Sequence, residues 1–295
     1  MTYSIVALDP ETGELGAAAQ SHWFSVGSLC TWARAGVGAV ATQSVVEPAY
    51  GPEVLDRLQD GVGAAQALGE LLAADPLAAV RQVAAVDARG GVSVHTGEEC
   101  IPFAGDAGGE VWSCQANTMR RDTVPAAMSS AFAASSGDLA NRLMAALEAA
   151  EGEGGDVRGR QSAALVVVPP EGEPWRARID LRVDDNPEPL AELRRLLTLQ
   201  RAYELAGEAD ELMAADRSEE AGALYRRAAE LAPESDELLF WSGLALAQTG
   251  DLSAGLDAVN RAAAANPSWL TLLDRLSPDF APAGAAVREA LGRAD

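Results

Sequence analysis

The chain has 295 residues, 48% hydrophobic and 22% charged, which is enough apolar material for packed cores and more length than a single core usually serves. Forty-four acidic residues face 22 basic ones for a formal net charge of −22. Every basic residue is arginine and none lysine, and so acidic a chain repels a phosphate backbone, which excludes nucleic acid as a partner.

Three cysteines, Cys30, Cys100 and Cys114, show neither CxxC nor Cys/His spacing, so they read as buried thiols in a reducing compartment, with no metal site. No run approaches the roughly 20 apolar residues of a membrane span. The opening MTYSIVALDP lacks a basic segment followed by an apolar one. A soluble cytoplasmic protein with no membrane association is expected.

In chain order, apolar residues dominate both alternating faces of residues 2–8, Thr2-Ser4-Val6 and Tyr3-Ile5-Ala7, the pattern of a strand covered on both sides. Asp9-Pro10-Glu11-Thr12-Gly13 supplies a turn, and residues 15–20 return as a second strand. Residues 36–42, GVGAVAT, form a third strand whose small side chains predict close approach of another backbone. Residues 51–75 carry Val54, Leu55, Leu58, Ala65, Leu68, Leu71 and Leu72 at helical spacing, broken by Gly61-Val62-Gly63 into a helical hairpin.

Strands at 80–86 and 91–95 flank the turn Asp87-Ala88-Arg89-Gly90. Residues 123–151 are Ala-rich and helical, as one helix or two, residues 162–168 suit a central strand, and residues 179–183 pair beside it. Strands and helices in alternating blocks predict an α+β domain of sheets covered by segregated helices.

Asn186-Pro187-Glu188-Pro189 breaks the chain, and the pattern beyond it is helical. The expected domains are residues 1–198 and 199–295. Ala228-Ala229-Glu230-Leu231-Ala232-Pro233 is echoed 34 residues later by Ala262-Ala263-Ala264-Ala265-Asn266-Pro267, the period of a tetratricopeptide repeat. Two such repeats bury little alone, so a further helix pair after Leu270, the first domain, or a second subunit in a homodimer should support them.

The chain contains no GxGxxG, GxxxxGK[ST], HExxH or GxSxG, which removes kinase, simple nucleotide hydrolase, zincin and α/β-hydrolase chemistry. Of its two histidines, His95 falls within a strand and reads as structural, whereas His22 follows the second strand, where side chains face clefts. Thr2 follows Met1, and a small second residue is what methionine removal requires. A freed Thr2 would carry a hydroxyl nucleophile and, in the same residue, an α-amine of pKa about 7.7–8.0 able to act as its base. Neither a histidine nor a cofactor is then needed.

The runs TYSIVALDPETGELGAAAQSHWFSVGS, WARAGVGAVATQS, YGPEVLDRL, RQVAAVD, HTGEECI, GRQSAALVVV and DLRVDDNPEPLAELRRLL together resemble the family labelled domain of unknown function 1028, across residues 2–200. The resemblance implies a four-layer αββα sandwich of the N-terminal-nucleophile hydrolase type, with Thr2 in the nucleophile's place. It also implies that Gln20, Ser21 and His22, and Thr42, Gln43 and Ser44, line the cleft at strand ends, and that Asn117 offers its amide to a developing oxyanion.

Arg160 either holds a substrate carboxylate or pairs with an internal acid such as Asp156. The expected activity is hydrolysis of a C–N bond, whether amide, imide or ureido, in a small molecule. The alternative is a non-catalytic binding or scaffold protein whose helical repeats recruit a protein partner.

Overall fold

The computed structural model describes residues 2–293. The chain divides into two compact units, Met1–Arg194 and Arg195–Asp295. None of the described helices is long and apolar enough to cross a membrane.

The first unit opens with an antiparallel hairpin of β1 (Thr2–Leu8) and β2 (Leu15–Ser21), in register from Thr2 opposite Ser21 to Leu8 opposite Leu15. Its turn closes through Asp9 N–H to the Glu14 carbonyl at 2.8 Å, and Gly13 takes the positive φ of 74° that a side chain would resist. Every residue of both strands is buried, which explains why apolar residues dominate both faces of β1.

Next come β3 (Thr31–Arg34) and β4 (Gly38–Ser44), the helices α1 (Tyr50–Gln59) and α2 (Ala64–Ala74), and the strands β5 (Arg81–Asp87), β6 (Val92–Thr96), β7 (Gly105–Gly108) and β8 (Trp112–Ala116). The helices α3 (Val124–Ala134) and α4 (Leu139–Gly152) then precede β9 (Ser162–Val168) and β10 (Ile179–Val183).

Two antiparallel sheets result, one ordered β10-β9-β2-β1-β8-β7 and the other β3-β4-β5-β6. They face each other through a core of short side chains, among them Val6, Ala17, Ala39, Ala41, Ala84 and Val86. The outer face of the smaller sheet is covered by α1 and α2, whose Val54, Leu55 and Leu68 pack with Val40, Val83 and Ala85. α3 and α4 cover the larger sheet.

Glycines set some of these approaches. A Cβ on Gly16 would lie 2.8 Å from Leu143 of α4, and one on Gly51 of α1 would lie 2.3 Å from the Trp32 ring. β1 and β2 are thus enclosed by a sheet on one side and helices on the other, and the polar ends of these strands gather at one edge of the inter-sheet core.

Helix α5 (Pro189–Ala214) runs across the boundary between the units, and Arg194, where the first unit ends, falls inside it. The second unit continues with α6 (Ser218–Leu231), α7 (Asp236–Gln248), α8 (Leu252–Ala265), α9 (Ser268–Arg275) and α10 (Gly284–Ala290). The two Ala-rich motifs spaced by 34 residues end α6 and α8, and α9 and α10 supply helices after Pro267.

Ser235 caps α7 by accepting the Leu238 N–H, and Asp251 caps α8 by accepting the Ala254 N–H. Phe240, fully buried, stacks on Trp269 with ring centroids 4.8 Å apart at the centre of this unit's core.

Candidate active site

The inner faces of the two sheets are apolar along most of their length but turn polar at the Thr2 end. Ser4, Gln43, Gln82, Gln115 and Asn117 are each 0–1% exposed there, so their polar atoms must find one another. Ser4 Oγ donates to Gln43 Oε1 and receives Gln115 Nε2, both at 2.6 Å. Gln43 Nε2 and Asn117 Nδ2 both donate to Gln82 Oε1, at 2.7 and 2.9 Å. Gln82 Nε2 in turn reaches the hydroxyl of Thr96 and the carbonyls of Gly105 and Ala116.

This network closes on Thr2. The Thr2 carbonyl accepts from Gln43 Nε2 at 3.1 Å, from the Asn117 backbone N–H at 3.2 Å and from Asn117 Nδ2 at 3.4 Å. The Thr2 hydroxyl points elsewhere, donating to Ser21 Oγ at 3.1 Å across the β1–β2 pair.

Thr2 and Ser21 form part of the lining of a cavity of about 360 Å³. Gln43, Ser44 and Arg158 supply further polar lining and Glu99 an exposed carboxylate, while Trp23, Val26, Leu29, Cys30, Val45, Val46 and Ile101 make the remainder apolar. Ser44 ends β4 with a left-handed φ of 72°, which swings the following Val45 and Val46 toward the cavity. Arg81, itself buried, donates to the Val45 carbonyl at 2.7 Å and to Asp75 at 2.8 Å, fixing that segment from behind.

Burial pushes the Cys30 thiol up to about 12, so the sulfur in this wall is a neutral apolar surface at physiological pH and does not compete as a nucleophile.

The structure separates the residues singled out from sequence. Thr2, Ser21 and Gln43 come together at the cavity. Asn117 stands behind Thr2, with its amide committed to Gln82 and the Thr2 carbonyl, so it is not among the residues facing the cavity. Gln20 pairs with Tyr3 and points to the opposite, helix-covered side of the sheet, where it is fully buried. Thr42 likewise faces away from the sheet interface, donating to the Glu47 carbonyl. The period-2 alternation of a strand makes this outcome unavoidable: of two adjacent residues, only one can face the site.

His22 sits just beyond β2, half-buried, with Nδ1 3.3 Å from the Arg160 carbonyl. Arg160 pairs with Glu151 and Glu188 outside the cavity lining. The expected partner of Arg160, Asp156, is taken instead by Arg158. Met1, whose removal the N-terminal-nucleophile expectation requires, lies outside the described residues.

Sequence reasoning missed two residues. Gln82 was hidden in a strand of otherwise apolar residues, and the available signal was a glutamine among RQVAAVD at the parity that faces the other sheet. Arg158 lay in the turn Asp156-Val157-Arg158-Gly159, where the Asp156 side chain accepts the Arg158 backbone N–H two residues on, a bond that aspartate at a turn commonly makes.

The model of the family of unknown function named DUF1028 matches residues 2–193. A crystal structure of a protein from Silicibacter pomeroyi that carries the same family model is similar to this chain, with a TM-score of 0.61 and 34% identity, over 66% of this chain and 87% of that one. No curated protein matches the chain. The matched residues take in both sheets, the polar network and the Thr2 cavity, and on that extent the chain belongs to the DUF1028 family of unknown function.

Proposed function

We propose that the first unit is an amidohydrolase of the N-terminal-nucleophile type, cleaving a C–N bond of a small molecule with Thr2 as nucleophile once Met1 has been removed. The observation that carries the reading is Thr2 in the lining of the cavity, its hydroxyl bonded to Ser21 while its carbonyl is held by Gln43 and Asn117. Pairs of helices flanking two facing antiparallel sheets are consistent with that fold type.

In this mechanism the Thr2 oxygen attacks the substrate carbonyl carbon and its proton passes to the Thr2 α-amine. The C–N bond then breaks as that proton moves to the departing nitrogen, leaving an ester on the Thr2 oxygen. Water, deprotonated by the same amine, hydrolyses the ester and releases the acid. Ser21 keeps the hydroxyl oriented. Gln43, Asn117 and Gln82 act as positioning residues.

Intact-mass measurement with turnover assays on a panel of small amides, imides and ureido compounds tests this directly. Thr2→Ala should reduce turnover to background and Thr2→Ser should retain part of it. Full activity in Thr2→Ala, or in a preparation whose mass shows Met1 in place, would end the proposal.

A role in partner recruitment is proposed for the second unit, read as a tetratricopeptide-like segment. There a groove lined by Tyr225, Trp241, Leu244 and Phe280 leaves Phe280 70% exposed. Pull-down with Phe280→Ser should lose a partner that Thr2→Ala retains.

A further inference from the structure

The Thr2 cavity contains one cation among its described lining residues, Arg158. In a chain with twice as many acidic as basic residues, that placement is itself informative. Arg158 is held by a carboxylate that is sealed from solvent: the Asp156 side chain is 0% exposed and that of Arg158 24%. Asp156 Oδ1 accepts the Arg158 backbone N–H at 2.9 Å and Nε at 3.1 Å. Its Oδ2 accepts Nη2 at 2.8 Å and the His22 backbone N–H at 3.4 Å.

Four donors on one buried carboxylate hold it in place, and the side-on engagement of Nε and Nη2 fixes the plane of the guanidinium. Arg158 lines the cavity, whereas Asp156 does not. The other charged lining residue, Glu99, is solvent-exposed, so water screens it more strongly than the partly buried Arg158.

The rest of the lining is mostly apolar, with Val26, Leu29, Val46 and Ile101. At about 30 Å³ per water the cavity has room for about a dozen waters, and so for a ligand of comparable size.

We infer that Arg158 anchors a carboxylate of the substrate, so that the substrates are small N-acyl or ureido acids whose remaining surface is largely apolar. The inference rests on the hydrolase reading for the scissile bond, but the anchor itself is a binding property that can be measured without turnover. Asp156 is then a positioning residue, acting on the ligand through Arg158.

The test uses the full chain carrying Thr2→Ala, which can bind but not react, titrated by calorimetry with 4-methylpentanoate and with its uncharged primary amide. The acid should bind about tenfold to a hundredfold more tightly, the range for a hydrogen bond to a charged group. Adding Arg158→Gln should remove the difference, while Arg158→Lys should keep a part of it.

Because Arg158→Gln strands a buried carboxylate and can unfold the chain, the charge-neutral pair Arg158→Gln with Asp156→Asn is measured beside it, with circular dichroism reporting the fold. Equal binding of acid and amide, no binding of either, or a preference that survives in a folded Arg158→Gln chain would overturn the anchor.

The two readings fail differently. If the acid is preferred but the Thr2 chain hydrolyses no N-acyl acid, the anchor stands and the hydrolase falls. If neutral amides are hydrolysed as fast as acids and Arg158→Gln changes nothing, the hydrolase stands and the anchor falls.

Discussion

Gln82 joins more of the buried polar groups between the sheets than any neighbour described above: its oxygen receives Gln43 and Asn117, and its nitrogen serves Thr96, Gly105 and Ala116. Gln82→Leu would leave those partners unmatched in a dry interface, and a loss of about 2–4 kcal/mol is expected in urea unfolding, with turnover falling because Asn117 and Gln43 also hold Thr2.

Asp75 offers a different residue-scale test. The Arg81 hydrogen bond, first among several, holds its carboxyl below the usual carboxylate range, against the opposing effect of burial. A carboxyl whose folded pKa is depressed stabilises the fold above its unfolded pKa, about 3.9, and loses that contribution as pH falls through the folded value. In Asp75→Asn the thermal midpoint should be lower at pH 7 and should decline less steeply than wild type between about pH 4 and 2.

The legibility of the site follows the same scale. Thr2 was visible because its chemistry depends on its place in the chain. Gln20 and Thr42 were picked by proximity to strand ends and face the wrong way, because parity relative to the second sheet is decided by packing that a single strand does not announce.

At the scale of elements, the hairpin β1–β2, the helical hairpin α1–α2 and the strands β9 and β10 were legible because each has a strong period bounded by turn residues. The short β3 and the Gly-rich β7 carry no such period: Gly105–Gly108, GDAG, has only one apolar side chain, and its strand state comes from pairing with β8. Tertiary context made those strands.

Contacts that depend on glycine were equally silent in the sequence. Gly51→Ala adds a methyl 2.3 Å from the Trp32 ring. The gain in helix propensity, up to about 1 kcal/mol, is outweighed by overpacking, and a net destabilisation of about 1–3 kcal/mol is expected by thermal unfolding.

For the whole molecule, the charge of −22 is the governing electrostatic fact. Self-repulsion acts against compaction and is screened by salt, so the unfolding midpoint should rise as sodium chloride is increased from about 10 to 300 mM. A midpoint that falls over that range would show that ion pairs such as Arg178–Glu14 and Arg194–Glu148 matter more than the net charge.

The three bonds on the Thr2 carbonyl bear on the removal of Met1 that the hydrolase proposal requires. They grip the peptide group on the C-terminal side of the Thr2 α-carbon, whereas an aminopeptidase would cut on the N-terminal side. On the proposed mechanism, trimming would leave that grip untouched, so the bonds that position Thr2 do not depend on whether its amine is free.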